Sequence, residues 1–474
     1  MNEQQNLQTA KKANIKLDWI FGIRKDILPN VLSLDFNTLV YPAGHYIVIY
    51  DHTKKPPLSQ IQQFIAGTPH SKGITAFNVV NISKKFIAIA EEFNEDVFIS
   101  IYNIFSSGGV YNLNHRVVNL SLFESRVNKV FHVAFSQKEQ TLSYFAAVCK
   151  SEDNILLLFW KWDTEQLKDK ITFPLKIPKV DGDWLQISFS AIKNEYLCII
   201  SPTFIVYYSI NIKSLNLLYE FYVDKHNCGR IISYCWLYEQ NFCVLTENSI
   251  LIFDFQNMKI IQEIKITNDD FMGSLTCILP LLDAFIVAGT NRRFEIYERK
   301  QNENYIFTFK GTREFEKESN FDFISLTCQN SGNEKYIFAA TSNNNLISVN
   351  IRDQNDVFLN NISAYNYLIS PFHTESVEGL DVCINKPYVI SCSKDKSLRV
   401  WDYKKRTQVI ESLYDEEMYS VAFHPSGMHA IVSFVDKIKP INIFYDEIVS
   451  MLPQGSGLPA KKAKDVIYNT LLYT

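Results

Sequence analysis

The stretch SCSKDKSLRVWDYKK, Ser391 to Lys405, decides how this chain is read. With His373 upstream it supplies histidine, serine, aspartate and tryptophan at successive separations of 18, 4 and 6 residues. The first three are hydrolase side chains, but a structural network needs the same groups. An aspartate in a tight turn accepts backbone N–H bonds, a histidine links it to a serine hydroxyl, and an indole N–H donates back to the chain. Catalysis asks instead for an exposed nucleophile beside a base and an oxyanion hole. Ser391 falls in the apolar run PYVISCS, which reads as an inner strand, and no GxSxG elbow occurs anywhere. His373, Ser391, Asp395 and Trp401 are therefore expected to form a structural tetrad that staples a strand to the loop entering its sheet, with no catalytic role.

The run closing on Trp401 is one of a series. Short β-rich runs end on an aromatic or apolar slot at Tyr50, Tyr102, Trp162, Tyr208, Phe253, Tyr297, Val349, Trp401 and Phe444, spaced by 52, 60, 46, 45, 44, 52, 52 and 43 residues. Ahead of each lies a continuous apolar run such as YLCIIS, NFCVLT or AFIVAG, and before that a third run such as VFHVAFS or LQISFS. A recurrence near ~40 to 45 residues, stretched by insertions, is the mark of a WD-type propeller blade. Continuous apolar runs suit inner strands buried on both faces. The expected fold is all-β, a WD40-type β-propeller with about seven blades closed over residues 17–370. The segment WIFGIR, Trp19 to Arg24, is expected to supply an outer strand. Two further units at 371–449 begin a second, partial propeller, because nine units exceed the ~4 to 8 blades of one ring; an eight-bladed ring is the alternative. Residues 1–16 read as a disordered N-terminal segment and 450–474 as a C-terminal tail. The second unit keeps a histidine, His70, but has Ala88 at the serine position. Such divergent blades are expected to rely on apolar packing, for which 34 Phe and 25 Tyr provide the area.

Composition excludes several classes. A formal charge of -4 gives no general attraction to nucleic acid or acidic lipid. The longest apolar stretch, CILPLLDAFIVAG, is interrupted by Pro280 and Asp283 and falls short of the ~20 residues of a membrane span. The N-terminus shows neither a signal peptide nor a myristoylation site. Nine cysteines, with no CxxC and mostly in apolar runs, read as reduced, buried thiols of an intracellular protein. Cys228, Cys235 and Cys243 are too widely spaced for a typical zinc motif, and neither a P-loop nor HExxH occurs, so no metal, cofactor or enzyme activity is expected. Weak candidates for partner binding are Arg292 and Arg293 in a turn before a strand, and the basic run Lys461, Lys462 and Lys464; turn residues and a solvated tail are the plainer readings of both.

The C-terminal third adds more. INKPYVISCSKDKSLRVWDY and EEMYSVAFHPSGMHAIVSFVDKI, with weaker likeness upstream in FIAGTPHSKGITAFNVVNISKKFIAIAE and WIFGIRKDILPNVLSLDFNTLVYPAGHYIVIYD, resemble the cilia- and flagella-associated protein 57 family over about residues 17 to 449. The resemblance implies a non-enzymatic WD-repeat scaffold of the motile cilium axoneme. Its implied partners are inner dynein arms and the adjacent regulatory complex on doublet microtubules, with tubulin or a related WD-repeat paralogue as further candidates; neither nucleic acid nor membrane is among them. The rival reading is a soluble cytoplasmic WD40 adaptor in transport or ubiquitin pathways. The family plan has two tandem propellers followed by a long coiled coil. No heptads follow Ile448, so the chain is expected to be a short form lacking that coil, or a truncated sequence.

Overall fold

In the computed structural model, the described residues form nine antiparallel β-sheets that follow one another along the chain. The structure describes residues 17–459 with interruptions, the largest at 55–60, 137–143, 175–185, 267–272 and 452–457, and shorter ones elsewhere. Within a sheet the strands lie in chain order, each hydrogen-bonded to the next. The nine first strands are Leu32–Asp35, Gly73–Asn81, Lys129–Phe135, Gln186–Phe189, Ile231–Leu237, Leu275–Pro280, Phe323–Cys328, Val377–Val382 and Ser420–Phe423. The second sheet sets both Val110–Asn112 and Arg116–Ser121 against its third strand, and the ninth adds Leu458–Pro459 to its own third strand. No α-helix occurs among the described residues.

Position within a sheet follows residue type. The second strands Asn241–Thr246 and Ala284–Gly289 are buried at every residue, since a neighbouring sheet covers each face. The fourth strand Lys259–Lys265 is largely exposed and mixes lysine and glutamate with isoleucine, as an edge strand should.

One hydrophobic core lies at each seam between sheets. Ile49, Ile65, Phe77 and Ile89 fill the first seam, and Phe145, Leu158 and Ala88 part of the second. Side-chain hydrogen bonds stitch the seams as well. Asn78 Nδ2 donates to the Val133 carbonyl at 2.8 Å, the Ile187 N–H to His132 Nδ1 at 3.4 Å, and Trp236 Nε1 to Ser188 Oγ at 2.8 Å. Between the fifth and sixth sheets Gln262 both accepts from and donates to the Phe307 backbone, each at 2.9 Å. Between the sixth and seventh, the Arg352 guanidinium pairs with Asp283 and stacks over Phe358. The seventh sheet then meets the first: the Ser33 N–H donates to Thr327 Oγ1 at 3.1 Å and Tyr50 OH to the Leu368 carbonyl at 2.8 Å. Seven sheets thus close on themselves, and the eighth and ninth pack together around Ile390, Leu398, Met418 and Val432.

Two details depart from the sequence reading. WIFGIR forms no strand. Gln62 satisfies the Ile20 backbone instead, accepting its N–H at 2.9 Å and donating to its carbonyl at 3.3 Å, so a side-chain amide does the work of a neighbouring strand. The recurring slot is also misplaced in two units. In six sheets the register between third and fourth strands shifts immediately before the slot residue, at Tyr102, Trp160, Tyr208, Phe253, Tyr297 and Trp401. The third slot is therefore Trp160 rather than Trp162, which sits in a 3₁₀ turn against Phe86 and Phe135. The ninth is Ile441, the register partner of Ala430, as Trp401 is of Val389; Phe444 lies beyond the strand. Both errors arose because an aromatic stood two or three residues past the strand's pairing position.

Candidate functional site

The eighth sheet comprises Val377–Val382, Tyr388–Ser393, Ser397–Asp402 and Thr407–Leu413. Its second strand carries Ser391, its third Trp401, the turn between them Asp395, and the segment entering the first strand His373. These four meet. Trp401 Nε1 donates to Ser391 Oγ at 2.8 Å, His373 Nε2 lies 2.8 Å from the same oxygen, and His373 Nδ1 lies 3.1 Å from Asp395 Oδ2. Asp395 also accepts the Thr374 N–H at 2.9 Å and the Ser397 N–H at 2.8 Å.

The protons can be assigned from the chain of donors. Burial by itself would raise the Asp395 carboxyl, but bonds from His373, Ser397 and the Thr374 N–H outweigh it and hold the group well below the usual carboxylate range. An ionised Asp395 accepts only, so His373 Nδ1 carries the proton and Nε2 accepts from the Ser391 hydroxyl. Ser391 in turn accepts the indole N–H. Ser397, which the sequence reading missed, completes the circuit: its Oγ donates to Asp395 Oδ1 at 2.7 Å and lies 2.8 Å from His373 Nδ1. Arg399 Nε donates to it at 3.1 Å, while the guanidinium pairs with Glu411. The pattern Asp-x-Ser was the available signal, since an Asx turn brings a residue two positions on within reach of the carboxylate.

Serine, histidine and aspartate are connected here as in a catalytic triad, yet the chemistry differs. Ser391 is 3% exposed and its hydroxyl is engaged by the indole N–H and by His373, so no substrate reaches it. The arrangement is an internal clasp. Trp401 extends it outward, packing against Phe21 at 5.0 Å between ring centroids and joining the core of the first and seventh sheets. Arg406 pairs with Asp18 and stacks on Trp19. The N-terminal segment thereby fastens the eighth sheet to the ring.

Other sequence candidates are placed differently. Arg292 is 6% exposed in a left-handed turn, its N–H bonded to the Phe321 carbonyl, and Arg293 pairs with Glu314 at 2.7 Å. Arg292 is thus buried, and the Arg293 guanidinium is held in an ion pair. Lys461, Lys462 and Lys464 lie outside the described residues, as do 1–16. His70 is exposed at positive φ and joins no such clasp; nearby, Glu91 accepts from the Thr68 N–H and hydroxyl, both at 2.7 Å. All nine cysteines are buried free thiols, and burial pushes those of Cys277 and Cys328 up to about 12. Cys235 and Cys243 face one another across two strands, whereas Cys228 lies in the core on the other side of that sheet.

Comparison with known proteins agrees with this geometry. The family model "WD domain, G-beta repeat" matches residues 367–402, the span from the seventh sheet's last strand to Trp401 and Asp402. Cilia- and flagella-associated protein 57 of Mus musculus is 24% identical over 90% of this chain and 36% of its own length, and protein 57 A of Tetrahymena thermophila 25% identical over 94% and 37%. Echinoderm microtubule-associated protein-like 1 of Rattus norvegicus is 21% identical over 87% of this chain and 46% of its own. The chain thus spans little more than a third of the length of the first two. Repeat, sheet order and relatives agree: this is a WD40-type β-propeller chain, similar over about nine-tenths of its length to the cilia- and flagella-associated proteins 57.

Proposed function

We propose that this chain is a non-enzymatic WD-repeat scaffold of the motile cilium axoneme, helping to dock inner dynein arms and the adjacent regulatory complex on doublet microtubules. The observation that carries the reading is the breadth of the similarity: proteins named for cilia and flagella align over 90–94% of the chain, and one named for microtubules over 87%. The fold suits the role. Rigid sheets leave connecting loops free to vary on two faces and a rim, where several proteins can dock without large motion. The buried clasp at Ser391 supports a structural use of residues that would otherwise suggest hydrolysis. We divide the chain into a first propeller at 17–370, two further units at 371–449 and a tail beyond, with the first ring as the main docking body. A tagged copy is expected to remain with axonemes after detergent extraction and to be released with dynein arms by high salt. Recovery solely in the detergent-soluble fraction would instead favour the cytoplasmic adaptor.

A further inference from the structure

The eighth sheet is tied to the ring at its two opposite ends, by different means. Its register sets Val377 against Ser393 and Ser397 against Leu413 at one end, and Tyr388 against Asp402 and Asp402 against Thr407 at the other. The chain crosses from the seventh sheet at the first end, through Phe372 and His373. That crossing is firmly seated. Phe372 is buried in the core of the first and seventh sheets, the His373 carbonyl accepts from Asn344 Nδ2 at 2.6 Å, and the Thr374 carbonyl accepts from Lys25 Nζ at 3.0 Å. The other end lies about 20 Å away, the span of a six-residue strand.

At that far end the N-terminal segment lies between the two bodies and grips each differently. Its hold on the ring uses backbone groups. Gln62 makes its two bonds to Ile20, the Arg24 N–H donates to the Pro42 carbonyl at 2.8 Å, and Arg24 Nη1 donates to the Ile74 carbonyl at 3.0 Å. Its hold on the eighth sheet uses side chains. Asp18 pairs with Arg406 at 3.0 Å, the Trp19 ring lies 5.3 Å from the same guanidinium, and Phe21 packs on Trp401, which with Val389 rests on the shared core. The Asp18 carboxylate is 71% exposed, and an ion pair in that setting adds little. The grip on the eighth sheet is therefore the one that gives first. The ninth sheet follows the eighth, since the two share a core and Asp381 accepts the Phe423 N–H at 2.6 Å.

We infer that Asp18, Trp19 and Phe21 form a releasable latch between the ring and the eighth and ninth sheets. Closed, it holds the two as one body at a fixed angle. Released from Arg406 and Trp401, the segment stays on the ring, and the eighth and ninth sheets turn about the crossing at Phe372 and His373. Proteins docked on the two bodies are then held at a set spacing in one state and a variable spacing in the other. The test is a distance measured by electron spin resonance in the full 474-residue chain. All nine native cysteines are buried, so nitroxides are carried by Lys259→Cys on the ring and Met428→Cys on the ninth sheet, both exposed positions. The otherwise unaltered chain should give one narrow separation. Asp18→Ala should raise the ratio of released to latched molecules by up to about fivefold, and Arg406→Ala, which also loses the stacking on Trp19, by about tenfold. Arg406→Ala combined with Phe21→Ala keeps none of the three contacts and should give mainly a broad distribution. Circular dichroism checks that its sheets remain folded; Arg406→Ala with Phe21→Leu replaces it if they do not. A combined variant that is folded and keeps the narrow separation overturns the latch, because the crossing and the core would then fix the angle alone. A broad distribution in the unaltered chain overturns it too, since nothing would then be held.

Discussion

Replacing Ser391 by alanine removes one hydroxyl and leaves two buried groups without a partner. These are the Trp401 indole N–H and His373 Nε2, each now 2.8 Å from Ser391 Oγ. An orphaned buried polar group costs about 1–3 kcal/mol, and because both share one hydroxyl the losses do not simply add. A total of about 2–3 kcal/mol is expected, confined to the eighth sheet and its attachment to Phe21. A whole-chain melting temperature is a blunt probe of several cooperative units, so amide hydrogen exchange is the better assay. At about 1.4 kcal/mol per tenfold, protection in Tyr388–Ser393 and Ser397–Asp402 should fall by about 30- to 150-fold. Tyr144–Ser151 in the third sheet should be unchanged. Unaltered protection in the eighth sheet would refute the clasp as a source of stability, and uniform loss across all sheets would refute its local character.

Other expectations concern the seams. Burial holds the His132 imidazole down at about 4, against 6.5 in an unfolded chain, so the unfolded state binds the extra proton between those values. The seam of the third and fourth sheets should have its full stability above about pH 6.5 and lose up to about 3 kcal/mol as pH falls toward 4; His132→Gln should flatten that dependence when exchange in Lys129–Phe135 is followed against pH. Gly379→Ala drives a methyl into the Ser420 and Val421 backbone and should destabilise the eighth and ninth sheets by roughly 1–3 kcal/mol, seen as faster proteolysis between Tyr414 and Tyr419. Gln62→Leu removes both bonds to Ile20 and should expose Arg24 and Lys25 to trypsin while the sheets stay intact.

How much of this was legible beforehand differs by feature. Composition and period gave strands, repeats and the clasp, since His373, Ser391, Asp395 and Trp401 lie in one unit, where each separation is fixed by strand length and turn. Ser397 was overlooked only because serine is common in turns. The slots at Trp162 and Phe444 were misjudged because apolar spacing marks a strand's content but not its pairing partner; for Trp162 a shift of two residues also keeps the same side of the pleat. The outer strand expected from WIFGIR failed for a related reason: an apolar segment needs cover, and here Gln62, Tyr41 and Trp401 supply it without a ladder.

What the sequence determined by itself is therefore local: inner strands from uninterrupted apolar runs, buried thiols from their neighbours, and a buried rather than reactive serine. Tertiary structure alone decided which sheets touch. Closure depends on Ser33 meeting Thr327 and Tyr50 meeting Leu368, contacts between residues about three hundred positions apart. It alone left Leu380 bare while burying its counterpart Val421, although both are apolar residues at the same place in their strands. The physical reason is that hydrophobic patterning specifies a face to be covered, whereas the covering partner is set by the path of the whole chain.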